Sequence, residues 1–273
     1  MSTDISVVIG VGGMGRAIAS RLGSGRHLLL ADVDERLLAD TADQLREQGF
    51  DVSTHRVDVG DPASVAALAT AAADAGPVRH LAHTSGVSPV HASTETIMRV
   101  DLSGAAYVLD EFGAVMAPGG AGVVIASMAG HLTQLTAEQE DALAFTPSAD
   151  LGSLSLLNPE LALHPMLAYP LAKRGAILRV RAAAAAWGRR GARVNSISPG
   201  VIATAMGRDE LAGASGEQMR EMIARSASDR IGTAEDIAAA AAFLLDPATS
   251  FVTGTDLLVD GGVVATLRAA MRG

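Results

Sequence analysis

The sequence predicts an α/β fold in which one doubly wound parallel β-sheet carries helices on both faces. Short apolar runs rich in β-branched residues alternate along the chain with alanine-rich stretches of helical length. Most of the apolar runs are continuous rather than alternating, which is typical of parallel strands covered on both sides. No internal repeat or linker-like tract interrupts the 273 residues. We therefore expect a single domain over residues 1–273.

The positions of these runs give the predicted elements. Strands are predicted at 5–10, 27–32, 52–58, 80–85, 122–127, 192–198 and 256–261. Helices are predicted at 14–23, 34–48, 62–75, 95–116, 169–189 and 234–245. Asp61 followed by Pro62 is a typical helix start, because the carboxylate can cap the helix and proline fits its first turn. Asp34 is expected to cap the second helix in the same way.

Two segments are longer than simple connections between a strand and a helix, namely 131–168 and 204–232. In the first, Thr136 and Gln139 have the spacing of a capping box, which indicates a helix there. Both segments follow the C-terminal ends of strands, where open α/β sheets bind ligands. We expect the first to be a cleft-side insertion and the second a substrate lid, and together they should determine the substrate. Surface decoration is the alternative for each.

Composition excludes several classes of function. The net charge of −9 and the pI of about 5.2 argue against nucleic acid or an anionic membrane as the main partner. The absence of cysteine excludes disulfides, thiolate metal sites and cysteine nucleophiles. His83, His91, His131 and His164 have no metal-ligand spacing, so no metal site is expected, and His131 is interpreted as a surface residue. No signal peptide or membrane-length apolar run is visible, which favours a cytoplasmic location.

The first strand leads into a glycine-rich loop, "VVIGVGGMGRAIASRL", in which Gly10, Gly12 and Gly15 have G-x-G-x-x-G spacing. Chance alone would give roughly 0.3 such matches in this glycine-rich chain, so the spacing is weak by itself. The strand before the loop and the amphipathic helix after it strengthen the interpretation. Such a loop directs backbone N–H groups and a helix N-terminus at a pyrophosphate. Asp32, at the end of the second strand, can accept hydrogen bonds from both ribose hydroxyls.

Asp32 also favours NAD over NADP. A 2′-phosphate beside this carboxylate would meet a like-charge repulsion of ~1–4 kcal/mol, depending on the local dielectric. Arg16 could offset the repulsion, although a solvated surface position is the simpler interpretation of that residue. The alternative for Asp32 itself is an ordinary helix cap.

The stretch "AYPLAKRG" holds Tyr169 and Lys173, and the latter is the only lysine beside twenty arginines. Residues four apart share one helix face, and Pro170 suggests that the helix begins near Tyr169, with its positive dipole end beside the phenol. The ammonium would lower the pKa of the phenol from its usual ~10 towards the neutral range. A compact ammonium can also donate to ribose hydroxyls, which suits lysine better than arginine. The alternative is a lysine whose head reaches solvent at a helix start.

Further motifs follow in order along the chain. They are "VDVGDPASV" with Asp58 and Val59, "HTSGVSP" with Thr84, Ser85 and Gly86, "VVIASMAG" with Ser127, "YPLAK", "RVNSISPGVIATAM" with Pro199, Gly200, Val201 and Thr204, and "FVTGTDLLVDGG". With these motifs the chain resembles the short-chain dehydrogenase/reductase family over nearly its whole length. The stretch "AAAAWGRRGARVNSISPG" is also similar to bacterial hydroxysteroid dehydrogenase/carbonyl reductase-like members. The family resemblance implies a Rossmann-type fold and a nicotinamide cofactor.

The resemblance also implies which residues bind the cofactor and which act on the substrate. The implied cofactor-binding residues are Gly10, Gly12, Gly13, Met14, Gly15, Asp32, Asp58, Val59, Thr84, Ser85, Gly86, Tyr169, Lys173, Pro199, Gly200, Val201 and Thr204. Tyr169 would transfer the hydroxyl proton, Lys173 would lower its pKa, and Ser127 would hydrogen-bond the substrate oxygen. The expected activity is NAD-dependent interconversion of a secondary alcohol and a ketone. A cofactor-binding protein without turnover, with a sensing or assembly role, is the alternative.

The chain departs from the family pattern at three places. The glycine loop is one residue shorter than the family's usual motif. Asp101 stands where the family has an asparagine that supports a water-linked relay to the lysine, and its backbone carbonyl could still hold that water in a weakened relay. Ser127 and Tyr169 are much further apart in sequence than is usual. The resemblance further implies a homodimer or homotetramer built on helices 102–116 and 168–188. The substrate and the physiological direction remain open.

Overall fold

The computed structural model describes residues 3–157, 164–213 and 216–270. Seven parallel strands form one sheet: β1 (Ile5–Ile9), β2 (His27–Asp32), β3 (Asp51–Arg56), β4 (Val78–His83), β5 (Met116–Ile125), β6 (Arg193–Pro199) and β7 (Asp256–Val259). Their order across the sheet is β3-β2-β1-β4-β5-β6-β7, and every pair of neighbours is parallel. The predicted doubly wound parallel sheet is therefore confirmed, with strand ends shifted by a few residues.

The helices fill the connections between these strands. They are α1 (Gly13–Leu22), α2 (Glu35–Glu47), α3 (Pro62–Ala75), α4 (Thr94–Ile97), α5 (Ala105–Val115), α6 (Ala129–Leu132), α7 (Ala137–Phe145), α8 (Pro165–Arg189), α9 (Ala205–Ala212), α10 (Gly216–Arg225), α11 (Ala234–Leu245) and α12 (Val263–Ala270). A π-helical segment, Met98–Gly104, joins α4 to α5. Within the described residues, every helix is too short or too polar to span a lipid bilayer.

Two apolar cores cover the two faces of the sheet. On one face β-strand side chains pack with residues of α3, α5 and α8, and on the other they pack with residues of α1, α2 and α11. Trp187 of α8 is 1% exposed and donates its indole N–H to the Leu109 carbonyl, so it anchors the packing of α8 on α5. The strand order reverses between β1 and β4, so the loops after these two strands diverge and leave a crevice at the C-terminal edge of the sheet.

The predicted helix starts on acidic and hydroxyl residues are confirmed. Asp61 accepts a hydrogen bond from the Ala63 N–H, and Asp34 caps α2. Thr136 and Gln139 form the expected reciprocal capping box at the start of α7.

The predicted start of α8 near Tyr169 is wrong. The helix begins at Pro165, and the His164 ring accepts a hydrogen bond from the Met166 N–H. Both Pro165 and Pro170 can occupy a first turn, and the earlier one does so because the residue before it supplies the cap. Tyr169 therefore lies in the second turn, away from the helix N-terminus. The predicted help from the helix dipole is lost, since that effect fades within one turn.

The first long segment packs against the back of α8. Its buried apolar side chains form a third apolar cluster with residues of α4, α5, α8 and the π-helical segment, and we call this the insertion cluster. The buried members are Leu143, Ala144, Leu151, Leu157, Ile97, Leu102, Ala106, Ala168, Leu171, Ala172 and Leu178. Arg179 of α8 donates hydrogen bonds to the Ala144 and Thr146 carbonyls, and Arg174 forms an ion pair with Glu140. The second long segment contains α9 and α10.

Candidate active site and cofactor cleft

The glycine loop lies between β1 and α1, at the reversal of strand order. Gly10 has a φ of +88°, in the region that favours glycine. A Cβ on Gly15 would lie 1.8 Å from the Gly10 carbonyl oxygen, so only glycine allows α1 to approach the loop this closely. Gly12 precedes α1 without a side-chain cap. The N-terminal N–H groups of α1 are thus left for a ligand, as an anion site requires.

Asp32 is fixed at the end of β2 by backbone donors. Its Oδ2 accepts the Val11 N–H at 2.8 Å and its Oδ1 accepts the Asp34 N–H at 3.0 Å. A carboxylate offers about four acceptor positions, so capacity remains for ligand hydroxyls. These bonds also tie the glycine loop to the start of α2, which makes Asp32 more than the simple helix cap considered above.

A cleft of about 450 Å³ runs along this edge of the sheet. The predicted cofactor residues that line it are Gly10, Gly12, Gly13, Met14, Gly15, Asp32, Asp58, Val59, Thr84, Ser85, Gly86 and Thr204. Residues that sequence reasoning missed also line it: Val33, Leu37, Val57, Val87, Thr96, Arg99, Val100, Ala205 and Met206. The other predicted cofactor residues, Tyr169, Lys173, Pro199, Gly200 and Val201, lie outside this lining.

Arg99 is the most informative of the missed residues. Its Nη1 lies 2.9 Å from Asp58 Oδ2. Burial would raise the pKa of Asp58, but the bonds from Arg99 and from the Gly60 N–H outweigh that effect and lower it. Because Arg99 and Asp58 lie on different connections of the sheet, no local sequence signal places them together.

A second cleft of about 260 Å³ adjoins the first, and Met14, Thr204 and Met206 line both. It contains the predicted Ser127, Tyr169, Pro199, Gly200 and Val201. Ser127 directly follows the last pairs of β5, and its Oγ accepts the Ala129 N–H at 3.2 Å. The Ser127 hydroxyl is close enough to the Tyr169 phenol to oppose the rise in its pKa. The predicted serine and tyrosine are therefore brought together despite the segment between them.

Lys173 lies beneath Tyr169 and is 5% exposed. Its Nζ is 5.5 Å from the centroid of the tyrosine ring and 3.0 Å from Asp101 Oδ1. A Cβ on Gly86 would lie 2.6 Å from the same carboxylate oxygen and 3.0 Å from the ammonium. The glycine thus leaves room for the buried ion pair. A lysine whose head reaches solvent is excluded.

Asp101 contacts the lysine directly through its side chain, which also accepts the Val87 N–H at 3.2 Å. The weakened water-linked relay through its backbone carbonyl stays a prediction. Asp101 lies in the π-helical segment Met98–Gly104, where the extra residue per turn alters which side chains face α8. An asparagine could accept the same hydrogen bonds, but it would add no negative charge.

The electrostatics of this group differ from the expectation. Burial would lower the pKa of Lys173, but the Asp101 carboxylate outweighs it and raises the pKa, so the ammonium persists. Burial raises the pKa of Asp101 against the opposing effect of Lys173. Burial also raises the pKa of Tyr169, and Asp101 and Glu210 add to the increase, whereas Lys173 and Ser127 oppose it. In the protein without a cofactor, these effects outweigh the predicted lowering of the phenol pKa by the Lys173 ammonium.

Two histidines have environments that the sequence did not indicate. His83 is buried behind the loop after β4, and burial with the nearby Lys173 ammonium lowers its pKa to about 3. His131 is not a surface residue, because its side chain is 16% exposed and its Nε2 lies 2.7 Å from the buried carboxylate of Asp256. No group of three or more potential metal ligands occurs among the described residues.

The two long segments contribute unequally to the second cleft. From 204–232 come Thr204, Met206, Gly207, Glu210, Gln218, Met219 and Met222, whereas the described part of 131–168 contributes Leu132 and Met166. Among the described residues the first segment thus contributes less to this cleft than the second, and its role as a cleft-side insertion stays a prediction. Its apolar side chains are used in the insertion cluster instead.

The parallel sheet, the glycine loop at its reversal point and the paired clefts define a Rossmann-type α/β protein. A family profile described as Enoyl-(Acyl carrier protein) reductase matches residues 10–145 and 132–264. The short-chain dehydrogenase/reductase bsc3 of Alternaria brassicicola is 39% identical over 98% of this chain and 98% of its own length. The chain belongs to the short-chain dehydrogenase/reductase family of oxidoreductases.

Other relatives differ in what their names say they act on. The D-threitol dehydrogenase of Mycolicibacterium smegmatis is 31% identical, over 92% of this chain and 88% of its own length. The crystal structure of levodione reductase superposes with a TM-score of 0.76 at 26% identity, covering 97% of this chain and 98% of that one. Similarity at this level supports the family and the fold, while the substrate differs from one relative to the next.

Proposed function

We propose that the protein is an NAD-dependent oxidoreductase that interconverts a secondary alcohol and a ketone. The observation that carries this proposal is that Ser127 and Tyr169 line the second cleft together, with the Lys173 ammonium 5.5 Å from the centroid of the tyrosine ring. Similar dehydrogenases, including one whose name specifies D-threitol, support the reaction class. The bound nicotinamide would supply the hydride acceptor or donor.

The proposed roles follow from the contacts of each side chain. The phenolic oxygen of Tyr169 accepts the hydroxyl proton of the alcohol during oxidation and donates a proton to the ketone oxygen during reduction. Ser127 Oγ, held by the Ala129 N–H, donates a hydrogen bond to the substrate oxygen. Lys173 is placed to stabilise the ionised phenol. Asp101 is a positioning residue that holds Lys173 and limits how far its charge lowers the pKa of the phenol.

The first cleft fits a dinucleotide. Backbone N–H groups at the start of α1 would bind the pyrophosphate, and Asp32 would bind a ribose. We propose NAD rather than NADP, because the fixed carboxylate of Asp32 opposes a 2′-phosphate. Arg16, which could have offset this repulsion, donates to Gln44 at 3.1 Å and is absent from the lining of the cleft.

The test uses the only two tyrosines of the chain. Tyr169→Phe should reduce kcat with any secondary alcohol by at least about a thousandfold, a loss we place within the rate effects of general acid–base groups. NADH binding, measured by fluorescence, should survive. Tyr107→Phe, on α5, is the matched control and should retain activity. Turnover by the Tyr169 variant would contradict the proposal.

A cofactor-binding protein without turnover is the second candidate. The raised pKa of Tyr169 favours it, because a phenol with a raised pKa stays protonated near neutral pH and cannot accept the proton of an alcohol. A scan of secondary alcohols with NAD between pH 7 and 10 separates the two candidates, since any NADH formation excludes the second.

We also propose that the protein is cytoplasmic and forms a homodimer or homotetramer. Light scattering would test the oligomeric state.

A further inference from the structure

The second cleft is lined mainly by methionine and aliphatic side chains. Six of the ten methionines of the chain line it, namely Met14, Met128, Met166, Met206, Met219 and Met222. Pro89, Val90, Leu132 and Ile202 add further apolar surface. Thioether side chains adapt to irregular apolar shapes because they are unbranched and polarizable. This lining suits a hydrocarbon framework.

Few polar groups face this apolar lining. Besides Ser127 and Tyr169, they are Thr204, Glu210 and Gln218. Glu210 is the one charged side chain among the described lining residues, and it accepts a hydrogen bond from the buried Ser88 hydroxyl at 2.6 Å. It is close enough to raise the pKa of Tyr169. An anionic group near the reacting carbon would meet this carboxylate, and the described lining offers no basic side chain to pair with it.

Basic side chains line the neighbouring cavities instead, and one of these, which contains Arg230, shares Gly200, Val201 and Ile202 with the second cleft. Arg225 and Arg268 line a space that meets the second cleft at Leu132, Gln218 and Met222. Neither arginine lines the part that contains Ser127 and Tyr169. Arg268 donates to the His131 carbonyl at 2.9 Å, so part of its hydrogen-bonding capacity is already used.

We infer that the substrate is a compact, uncharged and predominantly apolar secondary alcohol or ketone, such as a substituted cyclic one. This inference rests on the proposed function and adds a substrate class to it. The volume of about 260 Å³ lies just below the ~300–1,000 Å³ typical of small-molecule sites. A linear polyol would bury hydroxyls without partners against methionines, which is unfavourable.

The first experiment compares substrates of matched skeleton. Methyl cis-4-hydroxycyclohexanecarboxylate is neutral, and the corresponding carboxylate is anionic. With NAD, kcat/KM for the ester should exceed that for the carboxylate at least about tenfold, because Glu210 repels the anion at close range. The ester should exceed D-threitol by at least about a hundredfold, because its ring buries apolar surface.

The second experiment tests whether Glu210 causes the discrimination. Glu210→Gln should reduce the ester-to-carboxylate ratio at least about threefold, mainly by raising kcat/KM for the carboxylate. Asp209→Asn removes a neighbouring carboxylate that is exposed to solvent, so it should leave the ratio unchanged. A ratio that responds equally to both variants would overturn the assignment to Glu210.

The outcomes separate this inference from the proposed function. If D-threitol or the carboxylate is oxidised as well as the ester, the protein is a dehydrogenase and the inferred substrate class is wrong. If NADH binds but no alcohol or ketone of the panel reacts between pH 7 and 10, the proposed function fails and the inference fails with it. Preferential turnover of the ester, with the expected response to Glu210→Gln, supports both.

Discussion

The two segments that lengthen this chain, 131–168 and 204–232, follow the same edge of the sheet but face in different directions. The described part of the first packs behind α8 through the insertion cluster, which also contacts the π-helical segment that carries Asp101. The second presents methionines and Glu210 to the second cleft. The described part of the first segment thus supports the Tyr169–Lys173–Asp101 group from behind, whereas the second segment shapes the second cleft. Location after a strand did not distinguish these two roles.

The largest expected effect is on stability and comes from the first segment. Leu143 is fully buried in the insertion cluster, so Leu143→Ala should lower the free energy of unfolding by about 2–5 kcal/mol. The change is measured by urea unfolding of the variant and the wild type. Because Leu143 does not line the cleft, KM should change less than about twofold. A large rise in KM without a loss of stability would mean that the first segment, rather than supporting α8 from behind, contributes to substrate binding.

The next effect is on the pH dependence of the reaction. Alcohol oxidation needs the ionised phenol of Tyr169, so it should rise as pH increases through the raised pKa, and ketone reduction should fall over the same range. Asp101→Asn removes one carboxylate that raises this pKa. Both profiles should therefore move to lower pH, because removal of that carboxylate lowers the pKa of the phenol.

The pH profiles of kcat/KM, measured in both directions, check this shift. Lys173, Ser127 and Glu210 are the other groups that influence the pKa of the phenol. Glu111→Gln on α5 is the matched control and should leave both profiles in place. Unmoved profiles in Asp101→Asn would reduce Asp101 to a purely structural role.

A smaller effect is expected in the second segment. Met219 is half-buried on α10 and lines the cleft. Met219→Ala should raise KM about three- to tenfold, since it removes apolar contact with the substrate. The free energy of unfolding should change by less than about 1 kcal/mol, because the side chain lies outside the buried clusters. Urea unfolding and steady-state kinetics on the same preparations distinguish this result from that of Leu143→Ala.

The smallest effect concerns the ion pair between Arg174 and Glu140, which ties α7 to α8. Both side chains retain some exposure, at 17% and 31%. A double-mutant cycle with Arg174→Gln and Glu140→Gln should therefore give a coupling energy of only about 0.2–1 kcal/mol. A coupling several times larger would mean that polar contacts, rather than the insertion cluster, hold the segment in place.

The fold could be predicted because its signals are local. Continuous apolar strands, the glycine loop and caps such as Asp34 and Asp61 each act within a few residues. The start of α8 could not be chosen, because Pro165 and Pro170 carry the same local signal and only the cap from His164 separates them.

The candidate site was only partly predictable for a related reason. The spacing of Tyr169 and Lys173 fixed their shared helix face, but the direct contact of Lys173 with Asp101 depends on how the π-helical segment packs on α8. The position of Glu210 in the cleft could not be predicted, because it depends on how α9 packs over the cleft. Long-range packing of this kind leaves no periodic signal in a single sequence.

The burial of Lys173 has a practical consequence. It provides the only side-chain amine in the chain, and that amine is covered by protein and paired with Asp101. An amine-reactive reagent can modify it only when the region around the pair opens. The rate of lysine acylation, followed by mass spectrometry, therefore reports the opening of this one place without any engineered label. Because every other basic side chain is arginine, no competing lysine obscures the signal.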